Sequence, residues 1–81
     1  MKADEMFERL GYDKTNEVPD SSHNYNLQYS NGIDLICFDY KNKAVTKFYF
    51  GYEDISPEDI TLKELQAINE KVKELGWNEI N

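Results

Sequence analysis

Three runs of strand-forming residues follow one another with only short polar turns between them, and this spacing restricts the chain to an antiparallel meander. In residues 25–30, Tyr25, Leu27 and Tyr29 alternate with Asn26, Gln28 and Ser30, the period of a half-buried strand. Asn31-Gly32 follows at once and is a strong hairpin signal. Two registers suit it. A two-residue loop sets Leu27 against Ile36 and Gln28 against Leu35, mixing polar and apolar residues on each face. A three-residue Ser30-Asn31-Gly32 loop sets Tyr29 against Ile33, Leu27 against Leu35 and Tyr25 against Cys37, giving one coherent apolar face. Register follows the buried pattern, so the three-residue loop is the expectation.

Residues 33–40 are apolar on both faces, with Ile33, Leu35 and Cys37 on one and Ile36, Phe38 and Tyr40 on the other, which suits a central strand. The polar turn DYKNK leads to AVTKFYF at residues 44–50, rich in β-branched and aromatic residues. With Lys41 and Asn42 at the tip, Leu35 faces Phe48 and Ile33 faces Phe50. The result is a three-stranded antiparallel meander, which needs a helix packed on it to be stable.

Helical spacing appears at both ends. Ala3, Met6, Phe7 and Leu10 form one short stripe that Gly11 ends, with Asp4, Glu5 and Glu8 early, Arg9 late, and Tyr12 placed to fold back on the last turn. So short a helix persists only when docked on something larger. Residues 13–24 (DKTNEVPDSSHN) read as an exposed loop, with room for an edge-strand fragment near Glu17 and Val18. Residues 51–59 read as a loop in which Ser56-Pro57-Glu58-Asp59 starts a single helical turn. Thr61 and Glu64 then form a capping box, and Ile60 and Leu65 stand at the positions of a hydrophobic staple. Leu62, Leu65, Ile68, Val72 and Leu75 make the expected buried stripe, Lys71 and Lys73 suit the last turn, and Gly76 stops the helix with Trp77 tucked beneath. Each such side chain contributes about 1.5–3 kcal/mol on full burial, which makes this helix the clamp on the sheet. The fold class is α+β, ordered α-β-β-β-α, in one small domain spanning residues 1–81.

Sixteen acidic against nine basic residues leave a net charge of −7, and the basic residues are scattered, which disfavours direct binding to nucleic acid or to an anionic membrane. A basic protein partner would instead be attracted, although such acidity also serves solubility. No apolar run is long enough to span a membrane, and MKADEMFERL lacks a signal-peptide core, so a cytoplasmic location is expected. The single Cys37 excludes an internal disulfide. Cys37, His23 and Asp39 are the residue types of thiol catalysis, but Cys37 lies mid-strand and no spacing brings His23 to it, so a buried structural cysteine is expected. One His and one Cys do not make a zinc pattern, the acids of residues 54–59 lack a calcium-loop pattern, and the isolated glycines form no phosphate cradle. No catalytic, cofactor-binding or metal-binding residue is assigned, and no enzyme is expected.

Two surfaces remain as candidates. Ile36, Phe38, Tyr40, Val45 and Tyr49 form an aromatic-aliphatic patch on the second sheet face, open to a protein partner or a homodimer unless the N-terminal helix covers it through Met6, Phe7 and Leu10. A strand edge at residues 25–30 or 44–50 is a further place for another chain to pair. The acids Asp4, Glu5, Glu8, Glu53, Asp54, Glu58 and Asp59 form a candidate acidic surface able to imitate nucleic acid in a basic cleft, though the basic residues dilute that imitation.

The stretch FERLGYDK at residues 7–14, together with ITLKELQAIN at 60–69 running to ELGW at 74–77, resembles small uncharacterised proteins of phages and prophages of Gram-positive bacteria. The resemblance covers both ends of the chain and transfers no catalytic residue. It implies a phage or prophage setting, a bacterial cytoplasm and a protein that works by binding other proteins. By analogy, inhibition of a host nucleic-acid-binding defence protein, in the manner of anti-restriction or anti-CRISPR proteins, is the alternative.

Overall fold

The computed structural model describes residues 1–18, 26–50, 55–57 and 59–77. Helix α1 (Ala3–Arg9) is followed by strands β1 (Asp13–Glu17), β2 (Leu27–Ser30), β3 (Asp34–Asp39), β4 (Ala44–Phe50) and β5 (Ile55–Pro57), and by helix α2 (Leu62–Glu74). The α+β class and the flanking helices stand as expected, but the sheet is larger than a three-stranded meander. It is antiparallel in the order β1-β2-β3-β4-β5, four strands of four to seven residues with the three-residue β5 at one edge. The additions occupy edges expected to be open: β1 pairs with β2 over Leu27–Ser30, and β5 pairs with β4 over Phe48–Phe50. The helical turn expected from Ser56-Pro57 is instead strand β5, and Tyr25, Glu53, Asp54 and Glu58 lie outside the described residues.

Strand β1 lacks apolar alternation because every residue in it is exposed. Its backbone pairs with β2, with a register shift between Lys14 and Asn16, while Lys14 bridges Asp4 and Glu17 at 3.3 and 3.2 Å. A charged, kinked edge of this kind discourages pairing with another chain. Asn26, fully buried, ties the strand ends together: its Nδ2 donates to the Val18 carbonyl at 2.9 Å, and its Oδ1 accepts from the Tyr40 N–H at 3.0 Å.

The β2–β3 hairpin departs from both expected registers. Leu27 pairs with Phe38, Gln28 with Cys37, Tyr29 with Ile36 and Ser30 with Leu35. The tip is therefore Gly32-Ile33, not Asn31-Gly32. Asn31 Oδ1 accepts from the Ile33 and Asp34 N–H groups at 2.9 and 2.6 Å, Ser30 Oγ accepts from the Gly32 N–H at 3.1 Å, and Gly32 takes the φ of +92° that a primed turn demands at its first central position. Relative to the three-residue loop, this register reverses the face of β3 that joins Leu27 and Tyr29, because side chains alternate with period two. Ile36 and Phe38 thus belong to the core and Ile33, 56% exposed, does not. The β3–β4 hairpin keeps the expected register, with Leu35 opposite Phe48 and Phe38 opposite Val45.

Both helices lie on the face of Leu27, Tyr29, Ile36 and Phe38. Phe7 of α1 stacks on Tyr29 with ring centroids 3.9 Å apart and meets Phe38 and Tyr12 edge-on at 6.3 and 6.1 Å. Each helix ends in a Schellman motif, with Gly11 at φ +92° and Gly76 at φ +77°, and the next residue's N–H returns to Phe7 or Val72. Those motifs throw Tyr12 into the core and Trp77 against its edge, where Trp77 packs on Phe38 and Tyr40.

Helix α2 buries the expected stripe only in part: Ile68 is buried and Val72 and Leu75 pack partly buried against the core, but the two leading leucines do not. The capping box forms, with the Thr61 N–H donating to Glu64 Oε1 at 2.9 Å and the Glu64 N–H to Thr61 Oγ1 at 3.2 Å. Its buried residues, however, are Glu64, Ala67, Ile68 and Lys71, while Leu62 is 70% and Leu65 42% exposed. Glu64 turns inward to meet partners on β4 and beside α1, and at 100° per residue this phase carries Leu62 and Leu65 to the outer flank.

Candidate functional site

The candidate interface of Ile36, Phe38, Tyr40, Val45 and Tyr49 is closed within the single chain. Ile36 and Phe38 are fully buried, Tyr40 and Val45 pack partly buried against the same core, and only Tyr49, at 39%, is exposed. The reason is the β3 register together with α1, whose Phe7 covers Tyr29 and Phe38. Of the acidic candidates, Glu5, Glu8 and Asp59 are exposed on the surface. Asp4 is engaged, accepting from the Tyr29 hydroxyl at 2.5 Å and pairing with Lys14 and Lys71, each at 3.3 Å.

Cys37 is 1% exposed on the sheet face opposite the helices, and burial pushes its thiol up to about 11. A thiol so raised is a poor nucleophile near neutral pH. The Asp39 carboxylate caps the β3–β4 turn, accepting from the Lys41 and Asn42 N–H groups at 3.0 and 3.2 Å. His23 lies outside the described residues. Among the described residues no three His, Cys, Asp or Glu stand close enough to hold a metal ion, and no helix is long and apolar enough to cross a membrane.

The principal polar constellation is one that sequence reasoning missed. Lys47 of β4 shares the face of Ile36, its strand partner, and its ammonium reaches Glu64 Oε1 at 2.9 Å and Oε2 at 3.2 Å. The same ammonium donates to the Asp59 carbonyl at 2.9 Å, and the Tyr12 hydroxyl donates to Glu64 Oε2 at 2.8 Å. Lys47 is 8%, Glu64 7% and Tyr12 1% exposed. Burial alone would raise the Glu64 carboxyl, yet the Thr61 N–H, Lys47 and Tyr12 hold it below the usual glutamate range. Burial and the bond to Glu64 raise the Tyr12 hydroxyl. The available signal was Lys47 itself, a charge placed between Val45 and Tyr49 on one side of an otherwise apolar strand.

Chemically this cluster is a clamp. Among the described residues no buried side-chain nitrogen or oxygen lacks a partner, and neither of two open surface grooves is lined by Tyr12, Lys47 or Glu64. One groove, of about 190 Å3, lies between the helices over Met1, Met6, Arg9, Leu10, Lys63 and Gln66. The other, of about 220 Å3, lies by the hairpin tip over Thr15, Ser30, Gly32 and Leu35. Among the described residues the large apolar side chains left exposed are Met1, Ile33 and Tyr49, each in a different element or turn, and Ile60, Leu62 and Leu65, which follow one another at the start of α2. Comparison with protein-family models, curated proteins and solved structures finds no match to this chain.

Proposed function

We propose that this chain is a non-catalytic protein-binding module, of the phage or prophage kind that its two terminal segments resemble, working in a bacterial cytoplasm and docking through the outer flank of α2. The observation that supports it is the exposure of Leu62, at 70%, with Leu65 and Ile60 at 42% and 40%, on a helix whose opposite side already fills the core. An exposed leucine such as Leu62, most of whose surface the fold leaves uncovered, is what a partner would bury. The polar constellation is fully paired and holds α1, β4 and α2 together, a scaffold role.

A second reading, an acidic inhibitor of a host nucleic-acid-binding defence protein, gains from one finding. Lys47 and Lys71 are each only 8% exposed and paired to carboxylates, so fewer bases interrupt the acidic surface than the composition suggests.

Capture from a Gram-positive bacterial lysate separates the two. On the first reading a defined partner is retained from about 0.1 M to about 0.5 M salt, because apolar contact is little screened, and Leu62→Asp releases it. On the second it elutes as salt rises and is lost on Glu5→Lys with Glu8→Lys. A partner that ignores both sets of changes overturns both readings.

A further inference from the structure

Leu62, Leu65, Asn69 and Val72 succeed one another at spacings of three, four and three residues, the interval of a helix-to-helix seam. Leu62, at 70%, Leu65 and Asn69 are exposed on the side of α2 turned away from Glu64 and Lys71, and the row ends at half-buried Val72, which packs in part against the core. Resting on the reading that this flank is the docking surface, we propose that its occupant is α2 of a second copy, packed antiparallel.

Charge selects the antiparallel arrangement. Asp59 is exposed just before the helix, and in its last turn the Lys73 side chain is 64% exposed, with a loose 4.0 Å pairing to Glu70 to exchange for a partner's carboxylate. A parallel pair would set Asp59 beside Asp59 and Lys73 beside Lys73. The antiparallel pair sets Leu62 against Val72, Leu65 against Asn69, and Lys73 in reach of Asp59, with opposed helix dipoles. Asn69 keeps the seam mixed in character, so its leucines meet a polar neighbour and the dimer is a reversible one.

The net charge of −7 per chain supplies the signature. Two such chains repel at long range, whereas the seam rests mainly on leucine contact with a single exposed ion pair at each end, so association strengthens as salt screens the larger net repulsion. Light scattering of the pure protein from about 10 μM to about 1 mM, at about 0.05 M and about 0.5 M salt, tests this. The mass is expected to move from one chain toward two with concentration, further at high salt. Leu62→Asp, at a position too exposed to threaten folding, should hold the protein as a monomer throughout. Lys73→Glu should weaken association about three- to tenfold, and adding Asp59→Lys should restore it, a rescue that only antiparallel contact produces. A monomer under all conditions, or a dimer indifferent to Leu62→Asp, overturns the inference. If the chain stays monomeric while Leu62→Asp still abolishes capture of a partner, the self-association fails and the docking reading survives. Indifference of both assays to Leu62 removes both.

Discussion

Two clusters in this molecule use the same three residue types, a tyrosine hydroxyl, a carboxylate and a lysine, in unlike surroundings. Tyr12, Glu64 and Lys47 are at most 8% exposed, between β4, α2 and the end of α1. Tyr29, Asp4 and Lys71 meet at the rim, where the Asp4 side chain is 44% exposed and Glu74 shares the lysine while accepting from the Ala3 N–H at 2.8 Å. In the first set every member is shut off from water, whereas in the second Tyr29 and Lys71 are equally buried, at 1% and 8%, and the Asp4 carboxylate alone is open to it. The difference teaches that the cost of losing a partner is set by what solvent can do for the group left behind, more than by the bond itself.

The largest test of that contrast is Glu64→Gln, which leaves the Lys47 ammonium buried without its counter-charge and should destabilise by about 3–5 kcal/mol in denaturant unfolding. Next, Tyr12→Phe should cost about 1.5–3 kcal/mol, because it removes a bond to a buried carboxylate, against about 1 kcal/mol or less for Tyr29→Phe. Equal losses for the two tyrosines would break the comparison.

Acid sharpens it further. Asp4 and Glu64 are both held below their ordinary values of 3.8 and 4.5 in the folded chain. Their stabilisation is therefore complete above those values and is lost as pH falls through the lower folded ones. The melting temperature of the wild type should drop on that acid limb, and Glu64→Gln should flatten it. The smallest effect belongs to Asp4→Asn, about 1 kcal/mol or less at low ionic strength and less at about 0.5 M salt, since the carboxylate is half-exposed and Lys71 keeps Glu74 as a second partner. A salt-insensitive loss at Asp4 would mean that the rim cluster behaves as a buried one.

The two hairpins show what sequence reading can and cannot carry. At the β3–β4 turn, local pattern and register agreed, because the Asp39 carboxylate caps the turn and apolar residues on both strands tolerate either face. At the β2–β3 turn the Asn-Gly signal marked the bend correctly, yet Asn31 uses its side chain inside the turn and moves the tip on to Gly32-Ile33. A strand apolar on both faces does not announce which face is core, so the error passed unopposed into the candidate interface. Of strand β1 only the fragment near Glu17 and Val18 was anticipated, for the converse reason: five exposed polar residues pair through backbone, with one bond from the Thr15 hydroxyl to the Gln28 carbonyl, and leave no periodic trace. On α2 the capping box was legible, but the five-residue apolar stripe was centred about a quarter of a turn from the true one, sharing Ile68 with it and missing at Leu62 and Leu65. The buried places at 64 and 71 are taken by a glutamate and a lysine whose partners are distant in sequence.

What the amino-acid sequence by itself determined is therefore local: two helices with their caps and glycine stops, the strand-rich middle and its bends, and an acidic chain with one buried cysteine. These depend on neighbours within a turn or so of backbone, where propensity and capping act. Only the tertiary structure decided which sheet face carries both helices, that Phe38 lies inside while Leu62 lies outside, and that Lys47 finds Glu64. Those outcomes rest on strand register and on pairing across the fold, where a one-residue shift exchanges inside for outside and a buried charge is stable only beside its partner.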